Sequence, residues 1–408
     1  MQSQERAVGS RLSVMMFLQF FIWGSWYMTV GNFIKAVGWA DADVGWAYQV
    51  GPIAAVASPL FLGMIADRFF ASERVLATMH LLGGIVMFTL PTVAGDGTPS
   101  DTFGWLLLVY MLCYMPTLGL SNTVAFHSIT NQEKQFPVIR VFGTLGWIVA
   151  GVVVSKWLRA DEDSLQFQVA GGASVLLAAF SLTLPHTPPP AKGQSASIGD
   201  LLGLRSMALM KDPSFAVFMV ASFLVCIPLA AYYAYAPLFV SATGFEAPGF
   251  TMSFGQWSEV LFMLAMPLFF ARLGVKWMLA VGMLAWVIRY GMFSMAADDQ
   301  VQWMVLGGIL LHGICYDFFF VTGQIYVDKF ASRELRGQAQ GFLVLMTQGL
   351  GLGLGAKLAT DLKSEFTTTS EAGAELVDWG QFWWYPALFA GAVLLVFVAV
   401  FRDRRGAV

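Results

Sequence analysis

Of the 26 Asp and Glu residues in this 408-residue sequence, Glu259 and Asp317 stand clearly inside long apolar runs. An ionised side chain at the centre of a bilayer costs about 2.5–3.5 kcal/mol on insertion scales, so a carboxylate kept there calls for wet, polar surroundings. Glu259 has Gln256 three residues before it, on much the same helical face. Asp317 follows Tyr316 and comes about one turn after His312 in "HGICYDFFF". A third constellation, "RVFGTLGW", sets Arg140, Thr144 and Trp147 at i, i+4 and i+7, one stripe of a helix. Desolvation disfavours the charged form of a carboxyl group and a nearby cation favours it. An acid facing a cavity that alternately opens and closes can therefore take up and release a proton, while the neighbouring polar groups hydrogen-bond a solute.

Each of these residues has a structural alternative. Arg140 lies about one turn past Pro137, where a guanidinium also snorkels to headgroups or closes a salt bridge. Glu259 and Asp317 also suit hydrogen bonds between membrane helices. Lys357, near a helix end, fits snorkelling. The aromatic runs "FFIWGSWY" and "AYYAYAP" read as lipid-facing or packing surface wherever they leave the polar stripes.

The elements that must position these groups are membrane helices. The chain is 57% hydrophobic and 12% charged, with 14 Trp and 35 Phe, far from the roughly 25% charged of a soluble domain. Windows of about 20 apolar residues predict twelve spans: 12–34, 44–66, 74–95, 103–127, 138–158, 166–184, 214–240, 251–271, 276–297, 301–325, 338–360 and 381–401. The first run is too long for a signal-peptide core and is expected to remain as a span. Placing the N-terminus in the cytoplasm puts sixteen of the 23 Lys and Arg in inner segments. Lys35, Lys156, Arg159 and Lys363 alone fall in outer ones, so both termini are expected inside. That arrangement predicts a multi-pass protein of the cell (inner) membrane.

The connection "HTPPPAKGQSASIGDLLGLRSMALMK" separates two groups of six spans and reads as a linker. The expected organisation is an N-terminal six-helix bundle (1–185), a cytoplasmic linker (186–212) and a C-terminal six-helix bundle (213–408). "PLFLGMIADR" from 59 and "PLFFARLGVK" from 267 echo each other at the ends of corresponding helices. Six plus six with repeated halves is the layout of the major facilitator superfamily, an all-α membrane fold with a midplane site between the halves that opens alternately to each side. In that superfamily the third and ninth helices are peripheral, which favours structural roles for His80 and Arg289. The loop "GMIADRFFASER" partly resembles the superfamily's cytoplasmic latch and makes Gly63, Asp67 and Arg68, with Arg74 beyond them, candidates for it.

Other function classes find little support. Cys113, Cys226 and Cys315 lack disulfide or metal spacing. No nucleophile-base set, metal cluster or phosphate loop stands out, and "GLGLGLG" at 349–355 follows no strand. No enzyme, cofactor, metal or nucleic-acid partner is expected.

Several stretches together resemble the nucleoside:proton symporters of that superfamily: "FLQFFIWGSW" (17–26), "YMPTLGLSNT" (114–123), "FPVIRVFGTLGW" (136–147), "SLTLPH" (181–186), "QWSEVLF" (256–262), "YDFFF" (316–320) and "GQAQGFLVLMTQGLG" (337–351). They span nearly the whole chain in order. The resemblance implies proton-coupled nucleoside import, with the substrate held by Arg140, Thr144, Trp147, Gln256, Glu259, Tyr316 and Asp317. Trp147 and Tyr316 would stack on the ring, and Asp317 or Glu259 would couple the proton; a monomer suffices. Two departures concern specificity. His312 stands where relatives carry a tyrosine, and Leu229 and Tyr232 stand where they present amides from the seventh helix. A proton-coupled sugar or polyol carrier of the same fold is the alternative, and a membrane sensor that has lost transport a more distant one.

Overall fold

The computed structural model describes residues 2–58, 70–95, 99–130, 132–188, 204–332, 336–370 and 375–402. Nearly all of them are helical, as expected where backbone polar groups must be satisfied within their own segment. Among the described residues, nine helices are long and apolar enough to cross a membrane, and Leu165–Ser181 is a shorter apolar helix. The chain divides into two compact units, Met1–Ser197 and Ile198–Val408.

In the N-terminal unit the first span is Gln2–Gly24, followed after a turn by a short helix, Val30–Ala36. The apolar run 12–34 predicts one helix through this point, and the structure has two. The Gly24-Ser25 pair interrupts it, and the Ser25 hydroxyl donates to the Phe21 carbonyl at 2.7 Å. The second span is described over Asp41–Ser58, the third is Ser72–Thr89 and the fourth Ser100–Ser128. The fifth, Gln132–Gly151, widens into a π-helical turn at Val152–Trp157, and the sixth is Leu165–Ser181. Gly63, Asp67 and Arg68, the candidate latch, lie outside the described residues.

Packing between the first and fifth spans depends on glycine. A Cβ on Gly146 would run into the Phe17 carbonyl, and one on Gly24 would lie 3.1 Å from the Trp147 Cα. This close approach sets the Arg140 stripe against the first span. Gly146→Val is therefore expected to lower stability by about 1–3 kcal/mol through overpacking, read as a lower unfolding temperature of the purified protein and less of it in the membrane.

The "SLTLPH" stretch ties the end of the sixth span to the start of the third. Buried Glu73 accepts from His186 Nδ1 at 2.9 Å and from the Thr187 amide at 3.0 Å, while the Ser72 amide donates to the Thr187 carbonyl at 2.9 Å. His80 is equally accounted for. It lies between Gln19 Oε1 at 2.9 Å and the Ser174 hydroxyl at 3.1 Å, and the Gln19 amide donates on to Thr117 at 2.7 Å.

In the C-terminal unit the seventh span, Pro213–Ala242, starts on Asp212, whose carboxylate accepts from the Ser214 and Phe215 amides. Residues Pro248–Ala296 hold the eighth and ninth spans, separated at Gly274, which takes a left-handed φ of 63° that favours glycine. The tenth span is segmented into Gln302–Leu310, His312–Cys315, a π-helical turn Tyr316–Val321 and Thr322–Phe330. The eleventh joins Arg336–Val344 to Leu352–Glu365 through a π-helical Leu345–Gly351, and Trp379–Val400 is the twelfth. Before the last, strands β1 (Thr367–Thr369) and β2 (Glu375–Val377) pair antiparallel.

Candidate functional site

Each unit gathers its own candidate residues. In the N-terminal unit the Arg140 guanidinium lies 4.0 Å over the Phe20 ring, a cation–π contact. Thr144 is buried one turn on. Trp147 meets Trp23 edge-on at 5.5 Å and Tyr27 at 6.3 Å, and Tyr27 meets Tyr48 at 5.2 Å. The run "FFIWGSWY" thus supplies the aromatic wall beside the stripe: Trp26 and Tyr27 are buried. Which of its rings lie beside the stripe follows from the register against the fifth span.

In the C-terminal unit the eighth and tenth spans nearly touch. A Cβ on Gly313 would fall 2.6 Å from the Glu259 nitrogen, and the Gly313 amide donates to the Ser258 hydroxyl at 2.9 Å. That approach brings His312 Nε2 to 3.9 Å from Glu259 Oε2, with both side chains largely enclosed. Nδ1 of His312 is buried without a hydrogen-bond partner, as is Oε1 of Gln256. Tyr316 lies against the His312 ring at 5.8 Å. Asp317 is fully shielded and neither carboxylate oxygen meets a donor. Its neighbour Phe318 packs with Met266 and Met278, which anchors the wide turn carrying Asp317.

Unpartnered buried polar atoms are rare and each requires a reason. Here three side chains hold such atoms on two helices in close contact. Together they offer a carboxyl, an amide oxygen and an imidazole nitrogen, the mixture a polar, ring-bearing solute requires for multiple hydrogen bonds. Arg289, for which the sequence favours a structural role, adds a fourth side chain. It is fully buried, its Nε donates to the Gly308 carbonyl at 3.1 Å, and Nη1 and Nη2 meet no partner.

The helical architecture is that of a multi-pass membrane carrier of the major facilitator type. Transporters of low sequence identity share it, including a POT family transporter with a TM-score of 0.73 at 10% identity. Within that class the relationship is closer. A sequence model described as nucleoside H+ symporter matches residues 7–406, and the chain belongs to that family. The putative nucleoside transporter YegT of Escherichia coli is 36% identical over 97% of this chain and 94% of its own length. Xanthosine permease of the same organism is 33% identical over 97% and 95%. A crystal structure of the nucleoside transporter NupG superposes with a TM-score of 0.84 at 30% identity, covering 97% of this chain and all of the other.

Proposed function

We propose that this protein imports nucleosides together with protons across the bacterial inner membrane, by alternating access, with both termini in the cytoplasm. The observation that carries this reading is Asp317, a fully buried acid with no donor on either oxygen, in a chain of the nucleoside H+ symporter family. A structural acid would be expected to sit in a salt bridge or between donors. An acid that must gain and lose a proton during a cycle is better left without a fixed partner.

In this reading the candidate residues of each unit are substrate-binding groups. Arg140 and Thr144 bond hydroxyls or base edges and Trp147 stacks on the base. Gln256, Glu259, His312, Tyr316 and Asp317 complete the set. Asp317 is the proton carrier and Glu259, paired with His312, serves mainly to bind solute. A single protomer is sufficient for this cycle.

A thermal-shift panel of the purified protein tests the substrate class. Several nucleosides are expected to raise the unfolding temperature in a concentration-dependent way, whereas hexoses and disaccharides leave it unchanged. Stabilisation by sugars and not by nucleosides would replace this reading with the sugar-carrier alternative.

A further inference from the structure

Two of the three residues singled out in the sequence as bearing on specificity, Tyr232 and His312, are in contact. Tyr232, on the seventh span, stacks with His312, on the tenth, at 5.8 Å and 16°. Phe293 stacks with Tyr232 at 6.3 Å and 10°. The Arg289 guanidinium, on the ninth span, lies 4.1 Å over the same tyrosine ring. On its other side His312 reaches Glu259 of the eighth span at 3.9 Å. One chain of contacts, Arg289–Tyr232–His312–Glu259, therefore crosses four spans.

Its energetics are unusual for packing alone. A fully buried guanidinium with two nitrogens lacking acceptors is costly, and no acid pairs with it among the described residues. A cation over an aromatic face recovers part of that cost when desolvated, and it does so at the ring that backs His312. A planar guanidinium suits this stacked position better than an ammonium would. Nε2 of His312 faces the Glu259 carboxylate at 3.9 Å, beyond hydrogen-bond length, while Nδ1, buried with no partner, is a ring nitrogen left for a ligand to satisfy.

We propose that Arg289 is a positioning residue for substrate binding: by clamping the Tyr232 ring it holds the His312 imidazole against Glu259, with Nδ1 presented to the nucleoside. Tyr232 and His312 thereby act as one specificity-determining pair. The inference rests on the nucleoside-carrier reading.

A double-mutant cycle on the full-length protein tests it. Uridine and adenosine binding to purified protein, and KM and maximal rate of uptake in proteoliposomes, are measured for wild type, Arg289→Met, His312→Ala and the double variant. Each single change is expected to weaken binding about tenfold, the scale of one lost buried polar contact, and to raise KM more than it lowers maximal rate. The double variant should be no weaker than His312→Ala, because Arg289 acts through that ring. Arg289→Lys should recover part of the loss. Losses that multiply, or unchanged affinity in Arg289→Met, would overturn the proposal. Should Arg289→Met fail to accumulate as folded protein, Tyr232→Leu in place of Arg289→Met carries the same cycle with the same outcomes. Wild-type protein that binds no nucleoside would instead sink the nucleoside reading itself.

Discussion

Asp317→Asn is expected to abolish concentrative nucleoside uptake while leaving exchange of labelled for unlabelled nucleoside in place. Asparagine keeps the size of the side chain and its hydrogen-bonding capacity, so a solute still has a partner at this position. It removes the group that takes up and releases the proton. One proton entering with a neutral solute supplies about 2.3 kcal/mol per 100 mV of membrane potential, enough for an accumulation of more than tenfold. The variant should equilibrate its substrate and go no further, and its uptake should lose dependence on an imposed pH gradient. Accumulation ratio and counterflow in the same vesicles read both effects. Full accumulation by the variant would remove Asp317 from the proton path.

Glu259→Gln should act mainly on affinity. Its carboxylate lies beside His312 at 3.9 Å, and the backbone beneath it is fixed by the close approach of Gly313, so the substitution alters charge with little effect on packing. Hydrogen bonds to charged groups contribute about 1.5–3 kcal/mol, which corresponds to roughly a ten- to hundredfold rise in KM or Kd. Accumulation at saturating substrate should persist. The opposite pattern, with affinity intact and accumulation lost, would exchange the roles given to the two acids.

Much of this architecture was legible in the sequence because the bilayer imposes simple rules. Spans must be long, apolar and helical, so hydropathy located even the break at Gly274, between the windows 251–271 and 276–297. The polar stripes were legible for the complementary reason: Glu259, Asp317 and Arg140 are conspicuous against hydrocarbon. Contacts between helices were not. Helical periodicity says which residues share a face, but not which face of the seventh span meets the tenth. Tyr232 therefore read as an apolar departure and Arg289 as peripheral, although both lie against His312 or its backing ring. The π-helical turn at Tyr316–Val321, which sets where Asp317 points relative to His312, has no marker in residue type. Nor did the aromatic run of the first span disclose that it would line the Arg140 stripe, since glycines 24 and 146 fix that register only through their close approach to the partner helix.

The most direct test of the central claim is proton movement itself. Wild-type protein in liposomes enclosing a pH-sensitive dye, with no pH gradient at the start and the interior held negative, is given external uridine or adenosine. Nucleoside entry is expected to acidify the interior, hexose to leave it unchanged, and Asp317→Asn to abolish the signal. Nucleoside entry at the normal rate with no acidification would contradict the claim.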